Sequence, residues 1–252
     1  MHRRNCEAPT WRNTIHESRV TSHSLAGYAA GMVLALAVLA LPAAAQERSV
    51  APGINERFME SRDFGEFVDQ FEREGREIFD KRHEILKAVD LKPGMAVADI
   101  GAGSGLFTFL FAREVGPGGK VYSLEINPVM VNNIVRRARE QGYKHVEGQL
   151  STAKSVPLPP ASVDVIFTSD VYHHFEYPQV MLRAIGAALK PGGTLVIVDF
   201  ERIEGVSRQR VLEHVRAGKE TVIKEVEAQG FRFLGERKVM QDNYFVTFEK
   251  PR

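Results

Sequence analysis

Val97-Ala98-Asp99-Ile100-Gly101-Ala102-Gly103-Ser104-Gly105 decides how this chain folds, because an apolar, strand-like run ends in three alternate glycines and an apolar segment from Leu106 follows at once. Glycine lacks a Cβ, so it takes positive φ readily and leaves room for a ligand against its backbone. The start of the following helix presents unpaired N–H groups to the same space. The stretch therefore predicts strand, cofactor-binding loop and helix in succession.

Outward from this loop, short β-rich runs alternate with helical segments, the pattern of a parallel sheet with crossover helices. Strands are expected at 96–100, 120–125, 145–149, 163–169 and 194–199. Helices are expected at 105–115, 128–141 and 178–189, with Pro128 and Pro178 in first turns, where the ring is tolerated. Gly116-Pro117-Gly118-Gly119 and Pro191-Gly192-Gly193 read as the returns into the next strands. A single helix is expected over 207–229. Two strands at 231–239 and 244–249, around Gln241-Asp242-Asn243, then form an antiparallel hairpin.

Upstream, Phe58, Phe64, Phe67, Val68 and Phe71, then Ile78, Phe79, Ile85, Leu86 and Val89, recur at helical spacing among charged residues. They predict two amphipathic helices forming an N-terminal helical cap over 57–94, preceded by a linker at 46–56. Arg3, Arg4, Arg12 and Arg19 precede the apolar run Leu25 to Leu41, which ends in Pro42-Ala43-Ala44-Ala45. Basic flank, apolar centre and Ala-x-Ala make residues 1–45 a signal peptide cleaved after Ala45, and place the folded domain outside the membrane, in a bacterial periplasm. An uncleaved anchor is one alternative; a start near Met59, giving a cytoplasmic protein, is another. The main domain is expected over 95–252.

Lys and Arg total 33 and Asp and Glu 32, for a formal charge of +1, so composition offers no basic face for nucleic acid. Cys6, in the leader, is the single cysteine, so the folded part holds neither a disulfide nor a thiolate metal site. No metal ligand set stands out either. His173, His174, Asp170 and Asp199 come close in sequence order, but neighbouring histidines rarely share an ion and the helical His-x-x-x-His spacing is missing.

The loop alone leaves the cofactor open. A dinucleotide fingerprint wants Gly-x-Gly-x-x-Gly, and Leu106 stands where its third glycine belongs, which argues against a nicotinamide oxidoreductase. Glu125 ends the second strand about twenty residues on, where a carboxylate can accept hydrogen bonds from two ribose hydroxyls. The ordered set Asp99-Ile-Gly-Ala-Gly-Ser-Gly105, Glu125, Pro157-Leu158-Pro159, Val163-Asp-Val-Ile-Phe-Thr-Ser-Asp170, Tyr172-His173-His174 and Leu189-Lys-Pro-Gly-Gly-Thr-Leu195 resembles the class I S-adenosylmethionine-dependent methyltransferases, on the small-molecule branch. The likeness is strong over 91–199 and weak over the final hairpin. It implies a Rossmann-like, doubly wound α/β sheet of seven strands, mostly parallel with an antiparallel last strand.

The resemblance also implies that Asp99, Gly101, Ala102, Gly103 and Gly105 cradle the amino-acid end of S-adenosylmethionine. It implies that Glu125 holds the ribose and Ile126 the adenine. Where relatives carry an acid for the adenine amine, this chain has Gln149 or Ser151. Ser169 and Asp170 are expected to face the cofactor and the methyl-transfer zone. Methyl transfer from a sulfonium is an in-line displacement, so alignment matters most and a base only where the acceptor must lose a proton. His173 or His174 is the candidate base, at least one of the pair being structural. Tyr172 is a second polar candidate, weighed equally against aromatic packing. Asp199 reads as a turn cap or as a shaper of the acceptor pocket, His214 with Arg210 and Arg216 as a surface helix or an anion-meeting lid, and Lys81 with Arg82 as a charged helix face or a cover for the cofactor carboxylate. Arsenite is disfavoured as acceptor, since the folded part has no cysteine; quinone-like, phenolic, amine and lipid acceptors stay open. An exported, non-catalytic ligand-binding protein on the same fold is the rival reading.

Overall fold

The computed structural model describes Gln46 and residues 48–252, so the leader expected over 1–45 lies outside the described residues. Among the described residues, no helix is long and apolar enough to cross a membrane. The cap comprises α1 (Glu56–Glu60), α2 (Phe64–Phe71), α3 (Glu77–Asp80) and α4 (Arg82–Val89). Four short helices thus stand where periodicity suggested two. Asp63 caps α2 by accepting from the N–H groups of Gly65 and Glu66. The chain then turns at Gly75, at φ 80°, whose N–H donates to the Asp80 carboxylate. Residues 49–55 lie against the domain, with Val50 N–H donating to Glu176 O and Asn55 Nδ2 to His174 O.

The sheet is built from β1 (Ala96–Ile100), β2 (Lys120–Glu125), β3 (Val146–Leu150), β4 (Val163–Ser169), β5 (Leu189–Phe200), β6 (Arg232–Glu236) and β7 (Asn243–Glu249). Its seven strands run in the order β3-β2-β1-β4-β5-β7-β6. β1 to β5 pair in parallel, and β7 is antiparallel to both β5 and β6. This is the expected doubly wound α/β sheet. Strand order reverses between β1 and β4, and at such a switch point the loops leaving the carboxyl ends part to form a crevice.

The crossover helices are α5 (Leu106–Val115), α6 (Pro128–Glu140) and α7 (Pro178–Ala188), followed by α8 (Gln209–His214) and α9 (Lys219–Glu227). Side chains of the central strands alternate between two cores. Val97, Val165, Phe167 and Val196 meet α4 and α5 on one face, while Ala98, Ile166, Leu195 and Ile197 meet α7 and α9 on the other. The single helix expected over 207–229 is two. Val215 and Ala217 bury their side chains at 2% and 8% exposure, and the extended backbone of Val215 that this requires ends α8 after His214. Gly218 then starts α9 close against the carbonyl of Arg202.

Candidate active site

Asp99 and Ile100 end β1 buried, and the chain turns through Gly101, Gly103 and Gly105 at φ 70°, 60° and 87°. A Cβ on Gly101 would be driven into the Val171 side chain, and one on Gly105 would stand 2.9 Å from the Phe109 ring. The loop is tied back to β2: Gly101 and Ala102 donate to Leu124 O, and Gly103 N–H donates to Glu125 Oε1 at 2.6 Å. The other oxygen of Glu125 accepts from Ile126 N–H at 3.0 Å. One carboxylate thus joins the glycine loop to the end of β2, and burial pushes its pKa up. Asp99 accepts from Thr108 Oγ1 of α5 at 2.7 Å; burial raises its pKa to about 7 against the relief that this bond brings, with the nearby charge of Glu125 adding to the rise.

Asp99, Gly101 to Ser104, Glu125 and Ile126 line one wall of a cavity of about 410 Å³ at the carboxyl edge of the sheet. Its volume is that of an ordinary small-ligand site. Ser151, Thr152 and Ala153 after β3 border one end, and Phe58, Phe71 and Arg76 of the cap close over it. The hydroxyls of Ser104 and Ser169 are buried at this lining with no partner among the described residues. A buried polar atom left so calls for a ligand group to satisfy it. Asp170, in left-handed backbone at φ 54°, pairs with Arg76 Nη2 at 2.7 Å and accepts from Asn243 Nδ2 at 2.9 Å. It thereby ties β4 to the cap and to β7. Burial raises its pKa although Arg76 opposes this.

The opposite end is floored by imidazoles. The one-turn 3-10 helix Tyr172–His174 follows β4, and both His173 and His174 turn toward the cavity, joined by His214 from the end of α8. Ring centroids lie 4.3 Å apart for His173 and His174, 5.0 Å for His173 and His214 and 5.2 Å for His174 and His214. His173 Nδ1 meets Asp199 Oδ1 at 2.8 Å, and its backbone N–H donates to Asp199 Oδ2 at 3.0 Å. Burial works against a charge on His173, yet the adjoining Asp199 carboxylate holds its pKa above the ordinary value. For His174 burial and the two neighbouring imidazoles act together and hold the pKa down at about 3, so this ring is neutral and a weak base.

A family model described as a methyltransferase domain matches residues 91–244, from the end of the cap to the start of β7. The chain belongs to the methyltransferase domain family. Among curated relatives, an arsenite methyltransferase of Halobacterium salinarum is 30% identical over 109 residues, which is 43% of this chain and 28% of the relative. A ubiquinone/menaquinone biosynthesis C-methyltransferase, UbiE, of a Shewanella strain is 30% identical over 125 residues, 49% of each. The chain spans half or less of the length of these relatives. A solved S-adenosylmethionine-dependent methyltransferase of Aquifex aeolicus superposes with a TM-score of 0.66 at 28% identity, over 74% of this chain and 98% of that one.

Within the methyltransferase domain, Asp99, Gly101, Ala102, Gly103, Glu125, Ile126, Ser169, Asp170, His173 and His174 all line the cavity. Of the residues named for cofactor binding or as a polar catalytic candidate, Gly105, Gln149 and Tyr172 do not. Gly105 instead begins α5 in left-handed backbone. Gln149 stays in β3 opposite Leu124; the pairing runs on, with Ser151 N–H donating to Glu125 O, so Ser151 is what reaches the edge. Tyr172, 1% exposed, packs on Phe175 and donates to Glu225 Oε2 at 2.8 Å, where Arg216 also binds in fork fashion. Its phenol, raised well above the ordinary value by burial and Glu225, belongs to the core.

Lys81 pairs with Glu84 and Arg82 donates to Phe79 O, so neither covers the cavity; among the cap residues that do is Arg76, which no sequence spacing singles out. Asp199 is a histidine partner as well as a turn cap, since Phe200 N–H also donates to it. Both adjacent histidines reach the cavity from a turn pinned at Asp199. Asn55 and Phe58 were likewise missed: helical spacing in the cap predicted burial without showing against what.

Proposed function

We propose that this protein transfers a methyl group from S-adenosylmethionine to a small-molecule acceptor seated on the histidine floor. The observation that carries the reading is the glycine loop closed by Glu125 onto the end of β2, opening into a cavity that runs on to His173. The residues suit the donor. Glu125 keeps carboxylate lone pairs for ribose hydroxyls, Asp99 offers an acid to an ammonium, and Ile126 with Ser151 to Ala153 borders the place of the adenine. The unsatisfied Ser104 and Ser169 hydroxyls supply further polar partners. Bound there, the cofactor supplies a methyl group on a sulfonium, ready for in-line displacement. The chain then has to exclude water and hold the acceptor in line, tasks that fall to the cap aromatics, the Arg76 to Asp170 tie and the imidazole floor.

The test has two arms. Calorimetry on the purified protein should show binding of S-adenosylmethionine and of its demethylated product, with Glu125→Gln costing about 1.5–3 kcal/mol, the scale of hydrogen bonds to a charged group. Labelled methyl transfer into fractionated metabolites and lipids should then identify the acceptor. Absence of binding sinks the reading; binding without transfer to any fraction returns the non-catalytic alternative.

We also propose that residues 1–45 direct export of the domain, with cleavage after Ala45. The basic flank, the apolar run and Ala43-x-Ala45 support this.

A further inference from the structure

The three imidazoles at the floor are in mutual contact, and their ring nitrogens converge. One ring nitrogen from each of His173, His174 and His214 lies within 4.8 Å of the others. Tetrahedral coordination with metal–nitrogen bonds of about 2.0–2.1 Å requires nitrogens roughly 3.4 Å apart, a contraction within reach of imidazole rotation. Two further features point the same way. His174 Nδ1 is buried with no hydrogen-bond partner among the described residues, although burial of a polar nitrogen normally demands one. His173 gives its Nδ1 to Asp199, whose oxygens are fixed by the N–H groups of His173 and Phe200. That leaves Nε2 as the free ligand atom, in the carboxylate–histidine arrangement that orients metal-binding imidazoles.

We infer that His173, His174 and His214 form a three-histidine site for a divalent late transition metal such as zinc, with Asp199 orienting His173 from behind. An all-imidazole set suits zinc, copper, nickel or cobalt and disfavours magnesium or calcium, which take oxygen ligands. Three protein ligands leave at least one coordination position, open toward the cavity. An acceptor hydroxyl docked there would be held and acidified by the ion; this consequence, unlike the site itself, rests on the methyl-transfer reading.

The experiment uses the full chain without a polyhistidine tag, stripped with chelator and titrated with Co²⁺, read by visible absorption for four-coordinate nitrogen ligation. Zn²⁺ then competes the signal away. One equivalent is expected, lost in His174→Ala and in His214→Ala, with Asp199→Asn weakening affinity about 10–100-fold. Unchanged far-UV circular dichroism and urea midpoint show that the variants are folded; His214 is exposed, so its replacement carries the test even where the His174 variant does not fold. His2, Cys6, His16 and His23 offer competing ligands near the N-terminus, which the same variants separate from the floor. No saturable Co²⁺ signal, or one undiminished in His214→Ala, overturns the site. Neither result touches the cofactor reading, because the metal readout involves no methyl donor.

Discussion

At the scale of single residues, Asp99 shows how far burial moves the chemistry of a group. Its pKa rises from the ordinary 3.8 to about 7, because a buried charge loses its hydration and Thr108 restores only part of it. The folded state therefore keeps a proton that the unfolded chain releases. Below about pH 4 both states are protonated and Asp99 costs nothing. From about pH 4 to 7 the unfolded state is favoured increasingly, by roughly 4 kcal/mol over the whole span. Asp99→Asn removes that dependence while Thr108 keeps an acceptor. Urea denaturation of the ligand-free protein between pH 4 and 8 should show wild-type stability falling relative to the variant; parallel curves would refute the assignment. A ligand ammonium placed beside Asp99 reverses the preference, so wild-type affinity for the cofactor should rise with pH across the same window.

At the scale of elements, α5 is the helix on which the glycine loop depends. Phe107 and Phe111 project from it onto Phe167 of β4, with ring centroids 4.8 and 5.1 Å from it. Phe111 is wholly buried, so Phe111→Ala should lower stability by about 3–5 kcal/mol in urea melts. A loss below 1 kcal/mol would mean that the core collapses around the gap. The break between α8 and α9 matters in another way. Continued as one helix, 207–229 would keep Val215 and Ala217 on a helical path; ending α8 after His214 buries both and leaves His214 at the cavity. Helix propensity is a weak preference beside the burial of two apolar side chains.

At the scale of the whole molecule, the N-terminal segment completes the site. Asn55 Nδ2 donates to His174 O and Glu176 Oε1, Phe58 sets its ring edge-on to His174 at 5.1 Å, and Asn127 Nδ2 donates to Phe58 O. The Glu77 carboxylate accepts from Gln241, Asp242 and Asn243, binding α3 to the head of β7. A chain starting at Met59 lacks Asn55 and Phe58, and should bind the cofactor product at least tenfold more weakly than one starting at Gln46. Sequencing the protein from its native cell should find Gln46 at the mature end. A native start at Met59 with full affinity would overturn both the export proposal and this role of the segment.

Asp99, the three glycines and Glu125 could be read in advance because their meaning is local: a buried run, residues free to take positive φ, and an acid at the next strand end. The alternation of strands and helices likewise follows from side-chain period, and with it the sheet, its final hairpin and the cofactor edge. Gln149 and Tyr172 misled because sequence order says that they come near the edge but not which side of the backbone they leave by; strand pairing at Ser151 and the Glu225 partner settle that. Arg76, Asn55, Asp199 and His214 come from four separate segments, and no spacing in the chain relates them. The sequence by itself determined the doubly wound sheet and its glycine loop, since both rest on short-range periodicity and backbone freedom. Only the tertiary structure decided the histidine end of the cavity, where the end of α8, the turn after β4 and the end of β5 bring three imidazoles and a carboxylate together through burial and long-range hydrogen bonds.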